Sequence, residues 1–383
     1  MIMDQKFSTV KLTRCLAAVL AMAAISTAAC AQGAAPGFHV DGNKIIGPNG
    51  SQFVPYGFVL ECMAKTNLDK LCMPTEKRPY VDTDKIRAAA SFWHANIVRF
   101  QVAQETLFNQ SPYNAKYLGL VDQEVNLANS LGLVVTITLQ EEEYKGDPLP
   151  TISAIPFWRF MADHFKNNPH VFFDLYNEPR LRPADAGGED RMWDIWQHGG
   201  PAIPGVSSAP FVGMQALVDT IRHEGANNII IAEANFWDSD LSGVRGHRLN
   251  GSNIAYGVEP NLSRKDRTPD DWVRNFGQYA REVPIVPEAF LDYYGSNTCD
   301  ENSPSDVPRL FSYLKQLNMG LIVWTLNPGV LTVGNNLEQP TSYGTAATID
   351  CPVHQKKHAY PNNTLGAGED ILNYFRTNSV KAF

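Results

Sequence analysis

The stretch VFFDLYNEPR, Val171 to Arg180, decides the fold class because it reads as a buried strand that ends in a carboxylate. Its first six residues are almost continuously apolar, which is typical of a strand covered on both faces in a parallel sheet. Pro179 has no N–H to donate, so a strand ladder stops there. We therefore expect Glu178 to lie at the carboxyl end of a core strand, where proteins built on parallel sheets hold their reactive groups.

Seven further apolar runs recur along the chain, and amphipathic helical patterns separate most of them. The eight predicted strands are 53–58, 95–102, 133–139, 171–176, 228–233, 253–258, 284–290 and 320–326. The helical patterns cover 118–131, 157–165, 214–221 and 306–318. Strands that alternate with helices predict a parallel sheet covered by helices, and eight such units close a barrel.

The predicted fold is therefore of the α/β class, a (β/α)8 TIM barrel with a short N-terminal β-hairpin cap. The cap is predicted from the alternating segment 38–53, in which Asp41-Gly42 and Asn49-Gly50 are turn signals. The alternative is a doubly wound open sheet, but the segment after the first strand lacks the G-x-G-x-x-G loop expected there. No break in composition divides residues 38–383, which we take as one domain.

The first residues read as an export signal. In residues 1–31, basic side chains precede an apolar stretch and an A-x-A-like cleavage site, and a Gly/Ala/Pro spacer follows at 32–37. A lipid anchor at Cys30 is the alternative, although Thr27 stands where such signals usually have Leu. The mature chain is predicted to be secreted or periplasmic, without a membrane-spanning segment.

The cysteines that remain after such cleavage suggest two disulfides, because export removes the chain from a reducing cytosol. Three pairings are possible, and we favour Cys62–Cys72 with Cys299–Cys351, each bracing a local loop. Their spacing contains no C-x2-C pair, so it does not predict a zinc site. Free buried thiols are the alternative.

Composition limits the partners of the chain. It carries 40 acidic against 32 basic residues, for a net charge of −8, and this excess argues against a nucleic-acid partner, whose phosphates need Lys and Arg. With 44% hydrophobic and 19% charged residues the composition is that of a globular protein, and we expect a monomer.

The ends of the predicted strands collect the chemistry that hydrolysis of a glycosidic bond requires. Such hydrolysis uses one protonated carboxyl group at the leaving oxygen and one ionised carboxylate at the anomeric carbon, and indole faces stack on sugar rings. An amide such as that of Asn177 can hold a substrate 2-hydroxyl. The candidate site residues at these ends are Arg99, Glu141, Asn177, Glu178, Trp237, Glu259, Glu288 and Trp324.

The chain resembles glycoside hydrolase family 5, the cellulase family of (β/α)8 retaining glycosidases. The resemblance covers roughly residues 38–335 and rests on motifs that occur in order at barrel spacing. They are VDGNKIIGPNGSQFVPYGF, ANIVRF, NEP, ANNIIIAEANFWDSDLSG, VPIVPEAF and GLIVWTLNPGV.

The resemblance implies a role for five positions. Glu178 is similar to the family's acid/base and Glu288 to its nucleophile, with retention of anomeric configuration. Arg99 matches the arginine that holds the nucleophile, Asn177 the 2-hydroxyl contact, and Trp324 the platform under the sugar. The family needs no metal and no cofactor, so we expect none.

Three positions depart from the family pattern. Gln140-Glu141 stands where members usually carry His, Glu259-Pro260-Asn261 replaces a His-x-Tyr group, and the usual EFG is EAF. Glu141 is expected either in the cleft or in a solvated loop. Glu259 is expected to add charge to the site or to bind a sugar hydroxyl. The alternatives are that it points away from the site, or that it pairs with Lys265 or Arg267.

The sequence thus predicts a secreted retaining β-glycoside hydrolase acting on a β-linked glucan, mannan or related carbohydrate. The alternative is a carbohydrate-binding protein on a hydrolase scaffold that lost efficient catalysis with its histidines. A metal-dependent barrel hydrolase is disfavoured, because the predicted strand ends supply no histidine ligand.

Overall fold

Eight parallel strands form the centre of the protein in the computed structural model. The structure describes residues 37–63, 82–141, 146–262, 268–292, 300–351, 363–381 and 383. The predicted export signal, all but the last residue of the spacer, Cys72 and Cys299 lie outside these residues.

The strands follow one another around a barrel. In chain order they are β1 Tyr56–Leu60, β2 Ile97–Ala103, β3 Val134–Glu141, β4 Val171–Asp174, β5 Ile230–Glu233, β6 Ile254–Val258, β7 Ile285–Pro287 and β8 Leu321–Val323. From β1 to β7 each strand pairs in parallel with the next, and β8 pairs in parallel with β1. A bridge between Phe290 and Val323 brings β7 to β8. The predicted (β/α)8 barrel is therefore confirmed.

The observed strands differ from the predicted ones in where they begin and end. The fourth predicted strand, 171–176, ends at Asp174, although Leu175 N–H still donates to Ile231 O at 3.0 Å and Asn177 N–H to Leu139 O at 2.9 Å. The first was predicted at 53–58 but begins at Tyr56. The preceding Phe53 donates its N–H to Ile45 of the hairpin instead, so the chain joins the barrel only beyond it.

Helices cover the outside of the barrel, and the predicted helical segments are confirmed. The longer helices are Thr83–Ser91, Ala115–Ser130, Ala154–Phe165, Glu189–His198, Met214–His223, Ser303–Gln316 and Gly368–Asn378, and the short ones are Gln104–Phe108, Pro183–Ala186 and Pro269–Asn275. Their apolar faces bury side chains such as Phe157, Leu217 and Leu310 against the strands. In the described part of the chain, no helix combines the length and the apolar character needed to cross a membrane.

The predicted hairpin closes the amino-terminal end of the barrel. Its strands, His39–Asp41 and Lys44–Ile46, pair antiparallel. Phe38 lies 5.0 Å from the ring of Phe172 on β4, and Phe53 lies 6.0 Å from the same ring. Three edge-to-face aromatic rings thus fill the amino-terminal end of the barrel. The open end is the one formed by the carboxyl ends of the strands.

Candidate active site

The inner face of the barrel changes from apolar to polar between two successive layers of side chains. Side chains alternate along a strand, so residues two apart point the same way. The apolar layer packs together inside the barrel and consists of Val59, Ile97, Val134, Phe172, Ile231, Ala255, Val286 and Ile322. Two residues further toward the carboxyl end stand Glu61, Arg99, Thr136, Asp174, Glu233, Gly257, Glu288 and Trp324. The site is built on this second layer.

Arg99 lies at the centre of this polar layer and is fully buried. Its guanidinium donates to Asp174 Oδ2 at 2.7 and 2.9 Å, pairs with Glu233 Oε1, and lies 3.0 Å from Glu288 Oε2. Thr138 donates a further hydrogen bond to Asp174 at 2.7 Å. Burial alone would lower the pKa of Arg99, but the surrounding carboxylates raise it well above its ordinary value, so the guanidinium stays charged.

Glu178 is held in place through its backbone. It has a left-handed φ of 50°, which is unusual for a residue with a side chain. Its N–H donates to Glu233 Oε2 at 2.5 Å, while the other oxygen of Glu233 pairs with Arg99. Burial, followed by the neighbouring Asp174, raises the pKa of Glu233 well above its usual range. The carboxyl group of Glu233 therefore connects the backbone of Glu178 with the guanidinium of Arg99.

Glu288 reaches the same arginine from the end of β7 and is fully buried. Burial raises the pKa of this carboxyl, while the charge of Arg99 opposes that rise. Gly257 of β6 leaves the room that Glu288 occupies, because a Cβ on this glycine would lie 2.3 Å from Glu288 Oε1. The same point lies 3.1 Å from Glu233 Cγ and 3.3 Å from Asp238 Oδ2.

Asp238 enters the site from a turn with left-handed backbone. Phe236, Trp237 and Asp238 have φ values of 59°, 56° and 57°, a conformation that costs free energy for residues with side chains. Asp238 accepts a hydrogen bond from Ala234 N–H, and Trp237 donates its N–H to Pro179 O at 2.8 Å. The turn thus buries Asp238 completely and leaves the indole of Trp237 42% exposed.

Glu259 is buried at the end of β6, with 4% of its side chain exposed. Its Oε2 accepts from Asn261 Nδ2 at 3.0 Å, and Asn261 in turn accepts from Leu291 N–H at 2.5 Å. Lys265 and Arg267, its predicted alternative partners, lie outside the described residues, so the predicted roles of Glu259 stay predictions. Glu259 also contributes to the rise in the pKa of Arg99.

Trp324 stands at the end of β8 and is partly exposed. Its indole N–H donates to Glu61 Oε1 at 2.7 Å, and Asn327 Nδ2 donates to the other oxygen of Glu61 at 2.9 Å. Burial raises the pKa of Glu61, while its hydrogen bond from Trp324 opposes that rise. Asn327 thus holds the Glu61 carboxyl group, and Glu61 in turn restrains the indole of Trp324.

The structure places some of the remaining predicted residues and leaves others outside the described part of the chain. Asn177 is buried beside the cluster, and its Oδ1 accepts from Arg99 at 3.1 Å. Glu141 ends β3, and its side chain lies outside what the structure describes. Cys62 and Cys351 are disulfide-bonded, but their partners lie outside the described residues, so the predicted pairing stays a prediction.

One group of carboxyls in the described part of the chain is close enough to hold a metal ion. Oxygens of Asp174, Glu233 and Glu288 lie within 4.8 Å of one another. The guanidinium of Arg99 contacts all three carboxyl groups, however, so it supplies the positive charge that a metal ion would otherwise supply. The absence of a metal cofactor stays a prediction.

The sequence reasoning missed three site residues, Glu61, Glu233 and Asp238. Glu233 had a readable signal, because it is the last residue of an apolar run and lies two positions beyond the inward-facing Ile231. Asp238 had none, because a left-handed turn of three residues without glycine leaves no pattern in the sequence. Asp174, expected to be a core acid, is part of the cluster itself.

Comparison with known proteins points to one family. The model of the cellulase family, glycosyl hydrolase family 5, matches residues 62–330. Endoglucanase N of Pectobacterium atrosepticum is 22% identical over 245 residues, which cover 64% of this chain and 49% of that protein. An endoglucanase of Paenibacillus polymyxa is 22% identical over 344 residues, covering 76% and 80%. The chain spans about half the length of the Pectobacterium relatives it matches.

Solved structures share the fold. A β-glucanase from Saccharophagus degradans, determined in complex with cellotetraose, superimposes with a TM-score of 0.60 at 18% identity, covering 84% of this chain and 93% of that one. The catalytic domain of a Thermobifida fusca endoglucanase gives a TM-score of 0.58 at 15% identity, covering 89% and 98%. At such identities the likeness concerns the barrel, and the chemistry has to be argued from the site.

Proposed function

Because this chain belongs to glycosyl hydrolase family 5, we propose that it hydrolyses a β-linked glucan with retention of anomeric configuration. The supporting observation is the Arg99 cluster, which connects Glu178 and Glu288 from opposite parts of the barrel through buried contacts. Two carboxyl groups with different surroundings, one half-buried and one fully buried, are what a two-carboxylate glycosidase requires.

In the proposed mechanism Glu288 is the nucleophile. Its carboxylate attacks the anomeric carbon while Glu178 donates its proton to the departing glycosidic oxygen, which gives a glycosyl ester of Glu288 and a free alcohol. Glu178 then removes a proton from water, which attacks the same carbon and releases the sugar and the Glu288 carboxylate. Arg99 supports this role because its adjacent charge favours the ionised form of Glu288.

The sugar-binding roles follow from the same geometry. Asn177, anchored through its oxygen to Arg99, is proposed to hold the substrate 2-hydroxyl, a contact that strengthens in the transition state. Trp324, fixed by Glu61, is proposed to stack on a sugar ring, and the exposed indole of Trp237 is proposed as a second contact. Endoglucanase relatives and a cellotetraose complex favour glucan over mannan.

Export is a separate proposal. The signal-like pattern of residues 1–31 and the disulfide-bonded state of Cys62 and Cys351 both suit an oxidising compartment.

Assays of wild type and three variants on an aryl β-cellobioside, a soluble β-glucan and a soluble β-mannan test the function. We expect glucan hydrolysis, a loss of more than about 10⁴-fold in kcat for Glu288→Gln, and a loss of about 10²- to 10⁴-fold for Glu178→Gln on glucan. The exposed Glu338 provides the matched control, and Glu338→Gln should keep wild-type rates.

The stereochemistry and the substrate separate the alternatives. NMR of the first product should show the β-anomer, and an initial α-anomer would overturn the proposed roles. Mannan hydrolysis without glucan hydrolysis would correct the substrate class. Binding of all three ligands without turnover would favour the carbohydrate-binding alternative.

A further inference from the structure

Two buried carboxyl oxygens, one of Asp238 and one of Glu288, lie close to the same point beside Gly257. Asp238 Oδ2 lies 3.3 Å and Glu288 Oε1 2.3 Å from the point where a Cβ of Gly257 would stand. Among the described residues, neither oxygen has a hydrogen-bond partner, and both side chains are 0% exposed. Two buried acceptors beside one point cost free energy when both stay without a donor, and a shared proton would remove that cost.

The cluster contains more acid than its cation can neutralise. Asp238 is faced by Glu288 from β7, Glu259 from β6, Glu233 from β5, Asp174 from β4 and Arg99 from β2. Four of these carboxyl groups, those of Asp174, Glu233, Asp238 and Glu288, are fully buried around one guanidinium in the described part of the site. They cannot all be ionised, because an uncompensated charge in a dry interior is far costlier than a protonated acid.

The contacts of each carboxyl group decide where a proton is held. Glu288 has the guanidinium of Arg99 at 3.0 Å, and Glu233 accepts from both Arg99 and a backbone N–H, so donors favour their ionised forms. Among the described residues Asp238 forms no ion pair, and the one hydrogen bond to its carboxyl group comes from Ala234 N–H to Oδ1. Burial, followed by the charges of Glu288 and Glu259, raises the pKa of Asp238 well above its usual range.

We propose that Asp238 is a protonated carboxylic acid in the resting enzyme and donates a hydrogen bond from Oδ2 to Oε1 of Glu288. The proposal deepens the function proposed above, since it takes Glu288 as the nucleophile. Asp238 is then a positioning residue, which orients the Glu288 carboxylate opposite to its Arg99 contact and favours the ionised form of that carboxylate.

The backbone supports this placement. Asp238 closes the run of three left-handed residues, and its carbonyl oxygen accepts from Glu259 N–H at 2.5 Å. Ser239 adds a hydrogen bond from its hydroxyl to Phe236 O at 2.7 Å. A strained turn persists only where surrounding contacts hold it, and here the contacts fix Asp238, whose Oδ2 lies beside the same point of Gly257 as Glu288 Oε1.

The pH dependence of kcat/KM for an aryl β-cellobioside with a good leaving group tests the proposal, because its acidic limb reports the ionisation of the nucleophile. Asp238→Asn keeps a neutral side chain of similar shape, with an oxygen acceptor and an NH2 group that can donate to Glu288. We expect it to keep kcat/KM within about threefold, with an unmoved acidic limb. Asp238→Leu removes the donor, so kcat/KM should fall about 10- to 100-fold and the acidic limb should move to higher pH.

An ionised Asp238 would give a different result. Its conversion to Asn would remove a negative charge beside Glu288, and the acidic limb of Asp238→Asn would then move to lower pH, which would overturn the proposal. Asp194, exposed on the helix Glu189–His198, provides the control, and Asp194→Asn should leave the profile unchanged.

A second measurement does not depend on activity or on an Asp238 variant. Infrared spectra of the full chain carrying ¹³C-labelled aspartate should contain, at pH 7, the carbonyl band of a protonated aspartic acid. That band should shift in Glu288→Gln, because its acceptor changes from a carboxylate to an amide, whereas a band from the buried Asp292, paired with Tyr343, should not. A missing or unshifted band would overturn the proposal and leave the hydrolase function untouched.

Discussion

At the scale of single residues, Glu233 connects the two proposed catalytic carboxyl groups. One of its oxygens accepts from Glu178 N–H, and the other pairs with Arg99, which contacts Glu288. A glutamine side chain has a single acceptor oxygen, whereas Glu178 N–H and Arg99 both donate to this position. The NH2 group of the glutamine would therefore face one of these two donors. We predict that Glu233→Gln lowers kcat/KM about 10- to 100-fold and the free energy of unfolding by about 1–3 kcal/mol.

Steady-state kinetics and urea unfolding check this prediction, with Glu338→Gln as the exposed control. A loss of stability at full activity would mean that Glu233 is a structural acid only. Unchanged values in both measurements would contradict the contacts themselves.

At the scale of elements, β6 needs a residue without a side chain where it passes Glu288. A Cβ on Gly257 would approach Glu288 Oε1 to 2.3 Å, and Arg99 restrains that carboxylate from moving away. We predict that Gly257→Ala lowers kcat/KM about 100-fold, since a displacement of about 1 Å has such effects, and costs about 1–3 kcal/mol of stability. Kinetics and thermal unfolding measure the two effects.

Gly119 is the matched control for this substitution. It lies exposed in the helix Ala115–Ser130, and no atom lies within 4 Å of the point where its Cβ would stand. Gly119→Ala should keep full activity and raise stability by up to about 1 kcal/mol. Equal activity of the two alanine variants would show that Glu288 does not need the space beside β6.

At the scale of the whole molecule, the buried acids make stability depend on pH. Burial and neighbouring charges raise the folded-state pKa of Asp238 well above its usual range, so above a pH of about 4 the folded chain keeps a proton at Asp238 that the unfolded chain releases. The contribution of this proton to the free energy of unfolding is therefore fully present below a pH of about 4. It is lost as the pH rises toward the folded-state pKa.

Asp238→Asn isolates one part of this dependence. We predict that the free energy of unfolding of the wild type falls relative to that of the variant between pH 4 and 7, by up to about 1.4 kcal/mol per pH unit. Urea unfolding at each pH measures the difference. Parallel curves over that range would contradict a raised pKa at Asp238.

Disulfide bonds act on the same scale. Cys62 directly follows Glu61 of the polar layer, and both Cys62 and Cys351 are disulfide-bonded. We predict that reduction lowers the free energy of unfolding by a few kcal/mol while the barrel still folds, because most of its stability comes from a large core. Unfolding curves with and without reductant measure the loss, and mass mapping identifies the pairs. Four free thiols in exported protein would refute the prediction.

The sequence by itself determined the barrel, because that information is local. Apolar runs that alternate with amphipathic helices record a parallel sheet covered on both faces, and the eight strands, the hairpin and the main helices follow from it. Proline and the end of an apolar run also placed Glu178 and Glu288 at strand ends. These features depend on neighbours a few residues away.

Only the tertiary structure decided which acids meet. Arg99 and Glu233 are 134 positions apart, and their pairing depends on the register of the parallel strands, which no short segment encodes. Asp238 reaches Glu288 through a left-handed turn that contacts from distant residues hold in place, and Gly257 matters only because of what fills the space beside it. The electrostatics of the site, which arise from burial and closure of the barrel, could therefore not be predicted from the chain alone.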